Sequence, residues 1–239
     1  MPSGKFVHDE YRRRLNRANS EYSSNVSVKQ VDSYLNEALE IWFENRVDLS
    51  ELNSNVRNDL RQFEIKNDQL KLVKTDDIFN VYEYPKNFYK LLRQWAVVSK
   101  KGCPDKNIIV FIWESDDISE GLRDPNWKPS YEYEETIADE GEHGLYIWHN
   151  GEFKIEKVFV DYYRKPNRIA VPSLITPNKF YEIGDKKITE DSDLEVDSTY
   201  AYRKIIDIAI ACTLRDFGDT GDFNSMLQKI LFTNSVEKQ

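Results

Sequence analysis

The side chains best suited to chemistry are few and scattered. Asp139, then Glu152-Phe153-Lys154, loosely matches an Asp…Glu-x-Lys pattern. In that pattern two carboxylates hold Mg²⁺ and a lysine assists the attacking water or the transition-state charge, as in metal-dependent nucleases. Glu-x-Lys recurs at Glu64-Ile65-Lys66, as expected by chance in a chain with 31% charged residues. Glu152 also adjoins Asn150-Gly151, a turn signal, which places it at an exposed hairpin tip. His143 and His149 lie on one predicted strand, so at about 3.3 Å per residue they stand roughly 20 Å apart and cannot share a metal. Cys103 neighbours Lys100 and Lys101, which would favour a thiolate, but no histidine lies near it, and it reads as a loop thiol. There is no G-x-S-x-G, no phosphate-binding glycine loop and no C-x-x-C. The chain therefore reads as a non-enzyme without cofactor or metal.

The elements that would have to position any site come in a clear order. Ser27 and Gln30 have capping-box spacing, and Val28, Val31, Leu35, Ala38, Leu39 and Trp42 follow at helical intervals to about Arg46. Leu49 to Leu60 reads as a second, weaker helix. From Arg61 the texture turns to short β-type runs at 62–66, 69–74, 78–84, 95–99 and 108–113, with Pro85 to Leu92 as a proline-led helical turn. Asn150-Gly151 predicts a hairpin between 145–149 and 152–163 that pairs Trp148 with Phe153 and Tyr146 with Ile155. Pro166 ends that strand, and a short strand is expected near 179–183.

The stretch from Ser198 to Phe217 is apolar nearly all round, which predicts a buried helix with Ile205, Ile208, Ala209 and Cys212 in the core. Asp207, the charge in mid-run, requires a partner or a window to solvent. A last short helix is expected over Phe223 to Phe232. Helices at both ends bury their faces most economically on each other. The predicted class is α+β: a helical bundle from the N- and C-terminal helices (27–60 and 198–234) with an inserted, mostly antiparallel β domain (61–197).

Composition narrows the class further. The chain of 239 residues can bury a sizeable core, and no apolar run approaches the roughly 18 residues that span a bilayer. Met1 to Ser20 has no apolar stretch, which predicts no secretory signal. Two unrelated cysteines, Cys103 and Cys212, fit a reducing compartment. A net charge of −9 argues against a protein that wraps nucleic acid.

Two segments carry strong charge. Lys5, Arg12, Arg13, Arg14 and Arg17 cluster among few apolar groups, Phe6, Val7, Tyr11 and Leu15. This predicts a basic arm over residues 1–26 that orders on a neighbouring subunit, against the plainer alternative of a frayed terminus. Residues 114–142 hold eleven acids against Arg123 and Lys128, interleaved with Trp127, Tyr131 and Tyr133. They read either as a solvated loop or as an adhesive segment, with Trp127, Tyr131, Glu132, Tyr133, Glu134 and Glu135 facing a basic partner.

Four stretches in order, SVKQVDSYLNEALEIWFEN, YPKNFYKLLRQWAVVSKKG, the strand ending VDYYRKPNRI, and YAYRKIIDIAIACTLRDFGD, resemble the head–tail connector (adaptor or ring) proteins of tailed bacteriophages, most closely those of crAss-like phages. The resemblance spans most of residues 27–232. It implies a non-enzymatic virion protein of the tail and neck region, assembled in the host cytoplasm. Such proteins form homo-oligomeric rings, commonly of twelve subunits, below the portal and beside other ring or tail proteins. DNA passes them without specific binding, and no membrane is involved. A ring needs heterologous interfaces, one patch meeting a different patch on the next subunit. The basic and acidic segments, with Phe6, Tyr11, Arg12, Arg13, Arg14, Leu15 and Arg17 on one side, form a natural complementary pair. Rival readings are another tail or baseplate protein, and the nuclease.

Overall fold

A computed structural model of the protein describes residues 1–219 except 24, 143, 176–179 and 184–185, together with 221, 223, 224 and 226. The chain runs α1 (Gly4–Ala18), α2 (Ser20–Ser23), α3 (Val28–Leu52), α4 (Ser54–Leu60), β1 (Glu64–Gln69), β2 (Lys71–Thr75), β3 (Phe79–Glu83), β4 (Phe88–Ser99), β5 (Lys106–Ile112) and α5 (Ile118–Gly121). It continues through β6 (Glu135–Gly141), β7 (Gly144–Trp148), β8 (Lys154–Arg164), β9 (Tyr181–Ile183), β10 (Lys186–Ile188) and α6 (Thr199–Asp216). Two units result: residues 1–62 with 166–239, and residues 63–165. No described helix is long and apolar enough to cross a membrane.

In the first unit, α3 starts at the capping box of Ser27 and Gln30, and it runs past the expected end near Arg46 to Leu52. α6 is capped by Ser198, whose hydroxyl accepts from the Ala201 amide. Ile205, Ile208, Ala209 and Cys212 are buried along it. α6 packs against both α3 and α1. Asp207 finds its partner in Arg14, Nη1 to Oδ1 at 2.7 Å. Of the helix expected over Phe223 to Phe232, residues 223, 224 and 226 are helical, and the rest, with Leu227, Ile230 and Leu231, lies outside the described residues.

The arm expected over residues 1–26 is a docked helix instead. Val7, His8, Tyr11 and Leu15 fall on one face of α1 and are fully buried. Thr213 gives its proton to the Ala209 carbonyl, so Tyr11 donates to Thr213 Oγ1 at 2.5 Å. Burial raises the Tyr11 phenol well above its ordinary value and keeps it a donor. His8 Nε2 donates to Asp32 Oδ1 on α3 at 2.6 Å. The Tyr181 hydroxyl and the Val171 amide both donate to the other oxygen of Asp32. Asp32 thereby ties α1, α3, the 171 segment and β9 together. Few apolar residues suffice for docking because every large one on α1, except Phe6, points inward.

In the second unit the strand order is β1-β8-β4-β5-β6-β7-β3-β2, antiparallel except for β5 with β6. β1 and β2 are the two edges, yet only Leu70 separates them in the chain. Laid flat at about 4.8 Å per strand, those edges would stand roughly 34 Å apart. The sheet therefore curls until they meet. One bent strand pairs with β8 along its first half and with β3 along its second. Bulges in β1, β2 and β4 supply the bending. Alternate side chains, among them Val98, Ile108, Val110, Leu145, Ile147, Val158 and Val160, fill the interior. Gly144 sits at φ +128, where a Cβ would lie 2.1 Å from the Tyr82 carbonyl oxygen, so the start of β7 requires glycine.

Three expectations fail here. Asn150 and Gly151 do adopt positive φ, and the Glu152 amide bonds the His149 carbonyl. The flanking strands, however, never pair: β7 lies between β6 and β3, and β8 between β1 and β4. The turn crosses the curled sheet, and Phe153 and Ile155 enter its interior instead of facing Trp148 and Tyr146. Residues 85–92 give a turn at Pro85 and then enter β4, because Phe88 and Leu91 have β8 and the interior to pack on. Residues 114–142 are not one loop, since β6 occupies 135–141 with Ile137 and Ala138 buried.

Candidate interaction surface

The outward face of the curled sheet is apolar over three neighbouring strands. On β5, Ile108 and Val110 point inward, so Ile109 and Phe111 point out. Ile109 pairs across to Trp95 on β4, and Trp95 pairs across to Phe159 on β8. The rings of Trp95 and Phe159 stack at 5.8 Å. Phe111 meets Trp127 edge-on at 6.5 Å, and Trp127 meets Trp113 at 5.7 Å. The result is one continuous strip: Phe159, Trp95, Ile109, Phe111, Trp127, Trp113. Ile109 is 58% exposed and Trp127 45%, values that mark an uncovered face.

Charge frames this strip unevenly. Arg93 lies over the Trp95 ring at 5.0 Å at one end. Along the β6 side, Glu135 stands opposite Ile109, and exposed Glu114 follows Trp113. The eleven acids and two bases of residues 114–142 account for the whole net charge, because the rest of the chain holds 31 of each sign.

The residues singled out in the sequence separate into buried and presented groups. Tyr11 and Leu15 are buried within their own chain and offer nothing to a partner. Arg14 is committed to Glu10 and Asp207, and Arg12 donates to the Val26 carbonyl. Phe6 is 47% exposed and meets Tyr202 edge-on at 5.9 Å. Arg13 pairs with Glu10 on the surface, and Arg17 is exposed. Tyr131, expected to be adhesive, is buried instead, with Lys100 and Lys106 over its ring. Tyr133 is 77% exposed. Glu132 and Glu134 reach back to Lys100 and Lys106. The sequence reading passed over Trp95, Ile109, Phe111 and Phe159. Their signal was an unbroken run of apolar residues in β5, which shows that both faces are apolar but not that one lacks cover.

The nuclease pattern does not assemble. Asp139 accepts from Trp148 Nε1 at 3.0 Å and from the Ser115 hydroxyl. Glu152 takes Lys100 and the Tyr131 amide, and Lys154 pairs with Glu156. Among the described residues no group of three His, Cys, Asp or Glu side chains could hold a metal ion. His143 lies outside the described residues. His149 Nδ1 accepts from the Gly151 amide at 3.1 Å, which makes it part of the turn. Neither a family model nor a curated protein matches the chain.

Proposed function

We propose that the protein is a ring-forming structural component of a virion, a head–tail connector that docks below the portal and surrounds the DNA channel. The observation that carries this reading is the aromatic strip on the outer face of the sheet. A folded chain that leaves a tryptophan, a phenylalanine and an isoleucine exposed together on one face, Trp127, Phe111 and Ile109, is built to bind another protein there. The ordered resemblance of four stretches to connector proteins supplies the kind of assembly. The finer fold reading belongs with it: helices from both ends of the chain act as one bundle, and the β region serves as an inserted module for contacts. A net-acidic protein suits a conduit, since a basic wall would hold passing DNA by its phosphates.

The test is co-sedimentation of the full chain with purified portal rings. Saturable binding to the portal rings supports the connector reading. Binding that does not occur at any concentration contradicts it. Incubation with DNA and Mg²⁺ or Mn²⁺ should give no cleavage above a Glu152→Ala, Lys154→Ala control.

A further inference from the structure

A ring requires that the strip on one subunit meet a different surface on the next, and charge indicates which surface that is. Within α1, Phe6, Arg13 and Arg17 are separated by seven and four residues, so they fall on one outward stripe. Arg203 on α6 lies beside it, its carbonyl touching Arg14 Nη1, and it is exposed. Tyr202 backs Phe6. This face is an aromatic knob flanked by the guanidinium groups of Arg13, Arg17 and Arg203, of which Arg13 is paired with Glu10. The strip is an aromatic surface bordered by carboxylates along its β6 side, with Arg93 over Trp95 on β4. Both carry apolar centres, and their charges are opposite in sign. They cannot satisfy each other by pairing like with like, because strip against strip would bring two segments of net charge −9 together.

We propose that the outward stripe of α1 on one copy docks on the aromatic strip of a second copy, as the repeating head-to-tail contact of the assembly. This rests on the structural reading above and adds the two surfaces to it. Phe6 enters among Ile109, Phe111 and Trp127, and this desolvated centre supplies most of the affinity. Arg13 and Arg17 face Glu114 and Glu135, and their attraction sets register and speeds encounter. A contact between unlike patches propagates around a ring, whereas a contact between like patches stops at a dimer.

The experiment uses two variants of the full chain, Ile109→Glu and the double substitution Arg13→Glu, Arg17→Glu. All altered residues are exposed, so melting curves should overlay the wild type and show that both variants fold. Native mass spectrometry should find the wild type oligomeric and each variant alone mostly monomeric, with an apparent dissociation constant raised at least about tenfold. The mixture is decisive. Each variant keeps the surface that the other lacks, so an equimolar mixture should give a heterodimer and nothing larger. A mixture that stays monomeric overturns the head-to-tail pairing. Wild-type oligomers that ignore both substitutions overturn these surfaces while leaving the assembly reading intact. A wild type that binds portal rings but never self-associates overturns the second copy as occupant and identifies the portal as the strip's partner.

Discussion

Removing α1 should unfold the helical unit. Val7, Tyr11 and Leu15 are fully buried on the inner face of that helix. Full burial of such side chains is worth about 1.5–3 kcal/mol each, hence roughly 5–9 kcal/mol for three. A typical domain is stable by only about 5–15 kcal/mol, so deletion of residues 1–19 consumes most or all of the margin. A single substitution measures the same thing more finely. Leu15→Ala should cost about 2–5 kcal/mol by lost transfer energy and the cavity left behind. At about 2–4 °C per kcal/mol this lowers the midpoint by roughly 4–20 °C. Arg17→Ala, on the outward face, should stay within about 0.5 kcal/mol. The assay is the far-UV helix signal followed against temperature and urea for all three chains. A truncated or Leu15→Ala chain that melts with the wild type would refute the docking of α1, and residues 1–26 would then be an arm after all.

Further outcomes follow from the same packing. Arg14→Met should destabilise by about 1–3 kcal/mol because it removes the guanidinium paired with the largely buried Asp207 carboxylate, and adding Asp207→Asn should recover part of the loss in a double-mutant cycle. Burial lowers the His149 pKa in the fold, against a weaker opposing effect of Asp76. The unfolded chain therefore binds the extra proton first, so His149 contributes stability above about pH 6.5 that is lost as pH falls; His149→Gln should flatten the urea midpoint over that window. Burial pushes the Cys212 thiol up to about 11, whereas Cys103 is exposed, so a maleimide should label one thiol in the native protein and two in denaturant. Gly144→Ala should cost about 1–3 kcal/mol or more through the forced φ and the clash with the Tyr82 carbonyl, read as a lower melting midpoint.

Local signals carried the helices well. The capping box at Ser27, the cap at Ser198 and the apolar run after it set α3 and α6, because caps and periodicity act over a single turn. The mixed class, helices with a large and mostly antiparallel sheet, was likewise legible from alternating texture. What failed was pairing. Asn150-Gly151 fixes a turn with positive φ at both residues, but the strands beside it found other neighbours, since a strand's partners are chosen by the whole sheet. The proline at 85 opened a turn, and β8 then drew 88–92 into a long strand. The number of apolar groups in residues 1–18 is a poor guide to docking, because Val7, Tyr11 and Leu15 all fall on one face of α1 and are buried there. The strip over β8, β4 and β5 could not be read from composition, because apolar residues on both faces of a strand look the same whether the second face is covered or bare.

Negative-stain imaging of the purified full chain, alone and with portal rings, decides whether the protein forms a ring beneath the portal. The expected images are closed rings of one subunit number that stack coaxially on the portal and leave an open centre wide enough for duplex DNA. Isolated particles the size of a single chain, under both conditions, would contradict the connector reading.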